Sequence, residues 1–202
     1  MSTENSLATA WPVVLQLGPV SRKMSDHEFF EFCQLNRDLR IERTSRGELI
    51  IMPPTGRTTG RMNQSLAVLF GVWADADGSG VTFDSSTEFS LPNGAKRSPD
   101  LSWVRRQRWD ALTPQEQDEF PPLCPDFVVE LRSPSDRLPV LQAKMEEYMA
   151  NGASLGWLID PVEKKVYVYR PSAEVSCLDN PATVSGEPVL PGFAMDLHRL
   201  WG

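Results

Sequence analysis

The chain has 202 residues, of which 41% are hydrophobic and 23% charged, and its formal net charge is −7. These values are typical of one globular domain of ordinary size and argue against a disordered tract. A general nucleic-acid binder usually has a basic balance, so the acidic sum counts against that class, although a local basic patch matters more than the sum.

Cysteine usage and hydropathy give expectations about the cellular environment. Cys33, Cys124 and Cys177 lie far apart and form no CxxC pair, which favours reduced thiols over a disulfide framework or a zinc knuckle. The N-terminal part lacks the pattern of a secretory leader, and no apolar run approaches the length of a membrane span. We therefore expect a soluble, cytoplasmic protein without a membrane partner.

Helix and strand signals begin after residues 1–20, which we expect to be a flexible N-terminal segment. Ser25 and Glu28 have the spacing of a capping box and predict a helix over 26–35. The later elements, in chain order, are a hairpin of 39–43 and 48–52, a helix over about 58–76, strands at about 81–84, 87–91 and 100–104, a polar excursion over 105–124 with one short helix, a strand at 126–132, a helix over 139–151, a hairpin of 156–161 and 165–170, and a short terminal turn. This order predicts a mixed sheet with helices, hence an α/β or α+β fold in one domain over residues 21–202.

Two acidic residues lie in segments predicted to be short, mostly apolar strands. Asp100 opens the segment 101–104, and Glu130 interrupts the apolar run 127–131, where an unpaired carboxylate is costly. Strand alternation places Glu130 and Arg132 on one face. This combination is what a Mg²⁺-dependent phosphodiesterase needs, because carboxylates hold a hard cation and a nearby positive charge stabilises phosphate. The alternative interpretation is a structural ion pair between Glu130 and an arginine.

The cation that follows Glu130 raises a chemical problem. Arg132 is always protonated, so it can stabilise a phosphorane-like transition state but cannot accept a proton from water. Lys144, on the predicted helix over 139–151, can shift its pKa and shares one helix face with Tyr148. A helical lysine in place of a strand lysine is therefore one interpretation of Lys144. The other is an exposed lysine paired with Glu147.

Basic residues are concentrated on both sides of Asp100 in the sequence. They are Lys96, Arg97, Arg105, Arg106 and Arg108. We expect this group to hold the backbone of a nucleic acid, and the alternative is an ordinary solvated surface. The two histidines, His27 and His198, are too far apart to match a zinc-binding spacing.

Six segments form a specific combination although each alone is unspecific. They are 52–56, 85–104, 125–136, 144–148, 157–161 and 189–193. In this order they resemble the Uma2 family of predicted endonucleases, also known as DUF820, over roughly residues 25–202. The resemblance implies the restriction-endonuclease-like fold of the PD-(D/E)XK superfamily, with a central mixed sheet flanked by helices. It also implies metal-dependent cleavage of phosphodiester bonds.

The resemblance assigns roles to individual residues. Asp100 and Glu130 match the metal-binding acids, with Mg²⁺ or Mn²⁺ as the expected ion and a carbonyl near Leu131 as a further donor. Lys144 matches the helical lysine of the family, and Arg132 stands where the superfamily has its strand lysine.

Other positions depart from the family pattern. A helix that in the family often contributes an extra polar or acidic group offers Asn63 and Gln64 here rather than an acid. Glu88 is either an additional ligand or, as we favour, a charge on the strand surface. Asp126 is expected to be a loop acid before the strand rather than a ligand of the same ion.

The sequence as a whole therefore predicts a Mg²⁺- or Mn²⁺-dependent DNA endonuclease. Cutting both strands needs two sites, so we expect a symmetric homodimer. The alternative is a catalytically inactive nuclease fold that serves as a binding or assembly module, with Arg132 paired to Glu130. RNA or a nucleotide as substrate also stays open, because the motifs indicate phosphate chemistry rather than base readout.

Overall fold

The computed structural model describes residues 13–16 and 24–201. In chain order its elements are β1 (Val13–Leu15), α1 (Asp26–Leu35), β2 (Arg40–Arg43), β3 (Leu49–Met52), α2 (Arg57–Asp77), β4 (Gly80–Asp84), β5 (Phe89–Ser90), β6 (Lys96–Arg97), β7 (Leu101–Arg105), α3 (Arg106–Trp109), α4 (Pro114–Asp118), β8 (Phe127–Leu131), α5 (Leu138–Ala150), β9 (Leu155–Asp160), β10 (Lys165–Tyr169), β11 (Ser176–Asp179), β12 (Thr183–Ser185), β13 (Ala194–Asp196) and α6 (His198–Trp201).

The largest sheet is six-stranded and mixed, in the order β11-β10-β9-β8-β7-β4. Its strands β8 and β9 are parallel, and α5 forms the crossover that parallel neighbours require. Its other neighbouring strands are antiparallel. A five-stranded antiparallel sheet has the order β1-β3-β2-β6-β5, and β12 pairs with β13.

The two faces of the six-stranded sheet bury different clusters. Val129 of β8 lies in one core with Phe70 of α2, whereas Val128 lies in another core with Met145 of α5. Because successive side chains of a strand point to opposite faces, Glu130 is on the same face as Val128. The alternation of β8 therefore directs this carboxylate toward α5.

Local sequence signals explain where the first helices begin and end. The predicted capping box of α1 is present, with Glu28 N donating to Ser25 Oγ (3.2 Å) and Ser25 N donating to Glu28 Oε2 (2.7 Å). The helix α2 ends at Gly78, whose φ of 68° lies in the left-handed region that glycine adopts without steric cost.

The chain between β5 and β7 differs from the prediction. The sequence predicts that a turn at 91–94 joins strands at 87–91 and 100–104, but this turn leads from β5 into β6 of the same sheet. The chain then crosses at 98–100 to β7 of the other sheet. Both residues of β6 are charged and are held by distant carboxylates, so the local pattern cannot indicate this strand.

Other short elements are also absent from the sequence-based prediction. Within the segment 1–20 that is expected to be flexible, Val13–Leu15 pairs with β3, whereas 1–12 and 17–20 lie outside the described residues. The pattern does not predict β11, β12, β13 or α3, because three or four residues carry too little periodicity. No helix within 13–16 and 24–201 is both long and apolar enough to cross a lipid bilayer.

Gly80 permits a close approach between β4 and the buried ring of Trp103. A Cβ atom at Gly80 would overlap the indole, and this ring is only 2% exposed. We expect Gly80→Ala to lower the free energy of unfolding by roughly 1–3 kcal/mol in urea denaturation, as overpacking usually does. Gly71→Ala in α2 is the control, because its Cβ would meet nothing within 4 Å. Alanine favours helix, so this control should gain about 0.5–1 kcal/mol, and equal losses in both variants would contradict the packing argument.

Candidate functional site

The two predicted acids lie together at one end of the six-stranded sheet. Asp100 immediately precedes β7, and its Oδ2 accepts a hydrogen bond from the backbone N–H of Leu131 (2.9 Å) at the end of β8. The Asp100 side chain is 13% exposed, and that of Glu130 is 5% exposed. This hydrogen bond from the backbone of β8 to the Asp100 side chain therefore fixes the position of one acid beside the other.

Lys144 reaches the same place from α5. Its Nζ lies 2.8 Å from Glu130 Oε1, and its side chain is 12% exposed. Tyr148, one turn later on the same helix face, donates its hydroxyl to Glu130 Oε1 (3.0 Å). The alternative of an exposed lysine paired with Glu147 is therefore wrong, because Glu147 Oε2 instead accepts from Arg97 Nε at 2.6 Å.

A third carboxylate, which the sequence analysis does not identify, completes the cluster. Glu42 of β2 is buried, and its Oε1 accepts from Lys144 Nζ (2.9 Å) and from Ser98 N (3.0 Å). Its Oε2 accepts from Arg97 Nη1 (3.0 Å). The alternation of β2 puts Glu42 opposite Ile41, which is a core residue. Nothing local indicates that the second face of β2 is also covered.

Asp100 has two further polar neighbours. Arg40 Nη2 lies 3.9 Å from Asp100 Oδ1 and donates to the carbonyl of Ser98 at 3.1 Å. Asn63 Nδ2 contacts Asp100 Oδ1 at 3.5 Å, so this residue of α2 does face the site. The neighbouring Gln64 is exposed. The side-chain oxygen of Asn63 is buried and has no hydrogen-bond partner.

Arg132 directly follows β8, and its guanidinium is directed at the adjacent strand β9. Its Nη1 donates to Asp160 Oδ2 (2.6 Å), and its Nε donates to the carbonyl of Asp136 (3.3 Å). Asp160 stands beside Arg132 because β8 and β9 are paired in parallel register. The expectation that an inactive module would have Arg132 paired to Glu130 is therefore wrong for this chain.

The five predicted nucleic-acid-binding residues do not form one surface, so this expectation needs correction. Lys96 is 1% exposed, pairs with Asp26 and donates to Ser90 Oγ, and Arg97 is buried between two carboxylates. The other three lie at the far end of β7 from Asp100. They are Arg105 and Arg108, which pair with Asp126, and Arg106, which donates to the Gly80 carbonyl.

The structure also shows the surroundings of two further acids, Asp126 and Glu88. Asp126 precedes β8 and accepts from the backbone N–H of Arg105 (3.0 Å), which agrees with the expected loop acid. Glu88 is buried, so the favoured interpretation as a surface charge is wrong. Burial, assisted by the charge of Glu42, raises the pKa of Glu88 well above its ordinary value.

Comparison with known proteins connects this geometry to a family. The profile of Uma2, described as a putative restriction endonuclease, matches residues 26–198. This chain belongs to the Uma2 family. No curated protein matches the chain. The match confirms the family that the sequence motifs indicate.

A solved structure shows the same fold. It is that of a putative nuclease belonging to DUF820 from Anabaena variabilis, with a TM-score of 0.71 and 20% sequence identity. The similarity covers 88% of this chain and 97% of that chain. The predicted α/β fold, a central mixed sheet with flanking helices, is thereby confirmed, and it is the fold of this putative nuclease.

The carboxylates of this Uma2 site differ in their proton affinity. Burial raises the pKa of Glu130 to about 7, with Asp100 and Glu42 adding to the effect and Lys144 opposing it. Burial also raises the pKa of Asp100, against the opposing charge of Arg40. Although burial alone would raise the pKa of Glu42, Lys144 and Arg97 lower it to about 2.

Lys144 stays protonated at this Uma2 site. Burial alone would lower its pKa, but the charges of Glu130 and Glu42 outweigh burial and raise it. A lysine with a raised pKa is a poor proton acceptor and a good donor of hydrogen bonds to anions. The chemistry that this arrangement favours for Lys144 is therefore orientation and charge stabilisation.

The donors of the Uma2 site fit one hard divalent cation. Within the described parts of the chain, no group of three or more His, Cys, Asp and Glu side chains is arranged to hold a metal ion. Mg²⁺, however, is commonly bound through one or two carboxylates while it keeps several waters. Asp100 and Glu130 are such carboxylates, and Asn63, which contacts Asp100 through Nδ2, has a buried side-chain oxygen without a hydrogen-bond partner. This oxygen-rich set suits Mg²⁺ or Mn²⁺.

Glu130 should make the stability of this Uma2 protein fall as the pH rises through its titration. The folded protein binds a proton that the unfolded chain releases, because the pKa of Glu130 is raised from 4.5 to about 7. Stability from this group is therefore lost between these two pH values, by up to about 3 kcal/mol. Glu130→Gln imitates the neutral acid and should escape this loss. Urea denaturation in EDTA measures it, and a wild-type-to-variant difference that does not change with pH would contradict the raised pKa.

Proposed function

We propose that this Uma2 protein is a Mg²⁺- or Mn²⁺-dependent endonuclease that hydrolyses phosphodiester bonds in DNA. The observation that carries the proposal is the contact of a buried lysine with a strand acid, Lys144 Nζ to Glu130 Oε1 at 2.8 Å, next to Asp100. Buried ion clusters contribute little to stability, whereas strongly shifted pKa values are concentrated at functional sites.

Each side chain has a role in the proposal. Asp100 and Glu130 hold the cation, with Asn63 and a carbonyl near Leu131 as further donors. When bound, Mg²⁺ or Mn²⁺ neutralises charge on the scissile phosphate and provides a water of lowered pKa. Lys144, which stays protonated, orients the attacking water and stabilises negative charge on the phosphate. Tyr148 holds the Glu130 carboxylate in place by its hydrogen bond.

Arg132 keeps a secondary role in the proposal, which is to stabilise charge on the pentavalent phosphate. Its bonds to Asp160 and to the Asp136 carbonyl use two of the five N–H donors of a guanidinium. A phosphate that reached Arg132 would therefore share it with Asp160. This arrangement favours a supporting contact over a direct replacement of the strand lysine.

The proposal also names a substrate, DNA, and an assembly, a homodimer. Both are argued from the chemistry of phosphodiester cleavage and not from contacts with bases. DNA is the favoured substrate, and a homodimer would provide one site for each strand. Arg105 and Arg106, which are exposed, together with Arg108 remain candidates for backbone contact. Burial removes Lys96 and Arg97 from that role. The alternative is a non-catalytic binding module of the same fold, and the following experiments distinguish it from a nuclease.

Cleavage of supercoiled plasmid and of single-stranded DNA tests the activity directly. We expect nicking with Mn²⁺ and none with EDTA. Asp100→Asn and Glu130→Gln should each lower the rate by about 100-fold or more, because each removes a carboxylate that holds the cation. Glu146→Gln is the matched control, because Glu146 is exposed on the same helix as Lys144. If both variants cleave DNA at the wild-type rate, the assignment of the two acids is wrong.

Thermal denaturation with added Mn²⁺ tests the cation site without relying on activity. Wild type should gain stability, by about 2.7 kcal/mol at a hundredfold excess over Kd. The gain should be larger at pH 8 than at pH 6, because the raised pKa of Glu130 makes protons compete with the cation. Asp100→Asn should abolish the gain, and Glu146→Gln should retain it. No gain in wild type at either pH would favour the non-catalytic module.

A further inference from the structure

We infer that Glu42 is a positioning residue that holds Lys144 against Glu130 and fixes the backbone before Asp100. The inference goes beyond the roles of the two strand acids and rests on the nuclease activity proposed above. Glu42 lies on β2 of the five-stranded sheet, whereas Glu130 lies on β8 of the six-stranded sheet. The residue therefore acts from outside the strands that carry the two acids.

The contacts of Glu42 leave it little freedom to move. It is 2% exposed, and both of its carboxylate oxygens accept hydrogen bonds from groups on separate parts of the chain. Oε1 accepts from Lys144 Nζ at 2.9 Å and from Ser98 N at 3.0 Å. Oε2 accepts from Arg97 Nη1 at 3.0 Å. Such a carboxylate is a fixed anchor rather than an adaptable surface group.

Lys144 needs a second anchor because its side chain is flexible. The flexible four-carbon stem of the lysine allows Nζ many positions. The contact with Glu130 alone fixes only the distance between Nζ and that carboxylate. Glu42 places the ammonium between β2 and β8, with the Ser98 carbonyl as a weaker acceptor at 3.4 Å. With both carboxylates in place, Nζ is held at one point of the site before any substrate arrives.

The same carboxylate also acts on the chain that leads to Asp100. The Ser98 N–H that it accepts lies two residues before Asp100, where the chain crosses from β6 to β7. Glu42 therefore fixes Lys144 and the approach to Asp100 at the same time. Small displacements of positioned groups can reduce rates about a hundredfold.

Arg97 provides a matched control for this inference. Its guanidinium joins Glu42 to Glu147, and Glu147 also accepts from Asn93 Nδ2 (3.0 Å). Glu147→Gln removes a carboxylate from Arg97 with the same change of charge as Glu42→Gln. The ion pairs of Lys144 are with Glu130 and Glu42, so this control leaves the lysine anchors intact.

The first test observes Lys144 itself in the metal-free protein. The ammonium of a restrained, buried lysine exchanges slowly and gives an NMR signal in ¹⁵N-lysine-labelled protein, which Lys144→Met assigns by its loss. We expect Glu42→Gln to broaden or remove this signal and Glu147→Gln to retain it. An unchanged Lys144 signal in Glu42→Gln would overturn the inference whatever the nuclease assays show.

The second test is a double-mutant cycle on Mn²⁺-dependent cleavage. Glu42→Gln should lower kcat by roughly 10- to 100-fold with little change in KM. In the Lys144→Met background it should cause a much smaller loss, because only its effect on the backbone at Ser98 remains. Losses that multiply would show an independent structural role and overturn the inference.

A second variant distinguishes a folding defect from the loss of the positioning role. If Glu42→Gln alone does not fold, the variant Glu42→Gln with Arg97→Gln replaces the ion pair by two amides and carries both tests. Absence of cleavage in wild type would contradict the proposed function alone, since the NMR signal still decides the role of Glu42. Mn²⁺ stabilisation that persists in Glu42→Gln would show that the cation site itself is intact.

Discussion

The rest of the site depends on one buried ammonium that joins two carboxylates from different sheets. Lys144 Nζ lies 2.8 Å from Glu130 and 2.9 Å from Glu42. Removing any member leaves an uncompensated charge in a buried place, which is far more costly than the pairing is favourable. The two sheets and α5 must therefore dock together for any of these charges to be tolerated. This requirement couples the correct fold to the assembly of the site.

Strand alternation gives the site its separate structural and chemical faces. On β2, Ile41 packs in the core below α1, whereas Glu42 faces the site. On β6, Lys96 reaches Asp26 of α1, whereas Arg97 reaches Glu42. The same rule separates apolar Val129 from Glu130 on β8. Neighbouring residues of one strand therefore point to opposite sides, one away from the site and one into it. In this way a strand of a few residues contributes both to packing and to the site.

The sequence indicates the strand acids and the helical lysine but not what surrounds them. Glu130 is identifiable because a carboxylate inside an apolar run needs a partner, and the α5 spacing identifies Lys144 and Tyr148 as neighbours. Glu42 has no such signal, because its burial depends on β6, a strand of two charged residues. The partner of Arg132 is Asp160 at the end of β9, and this contact depends on strand register. The sequence pattern indicates local helix and strand propensity, but it does not indicate which distant strands pair with each other.

The distribution of charge within the cluster distinguishes Glu42 from Asp100 and Glu130. Arg97 and Lys144 both contact Glu42, and their charges lower its pKa to about 2. Glu130 and Asp100 receive less compensation, so burial dominates and raises the pKa of each. In the proposed site, this asymmetry leaves Asp100 and Glu130, which the Leu131 N–H and β8 hold side by side, as the less compensated acids that would bind the cation.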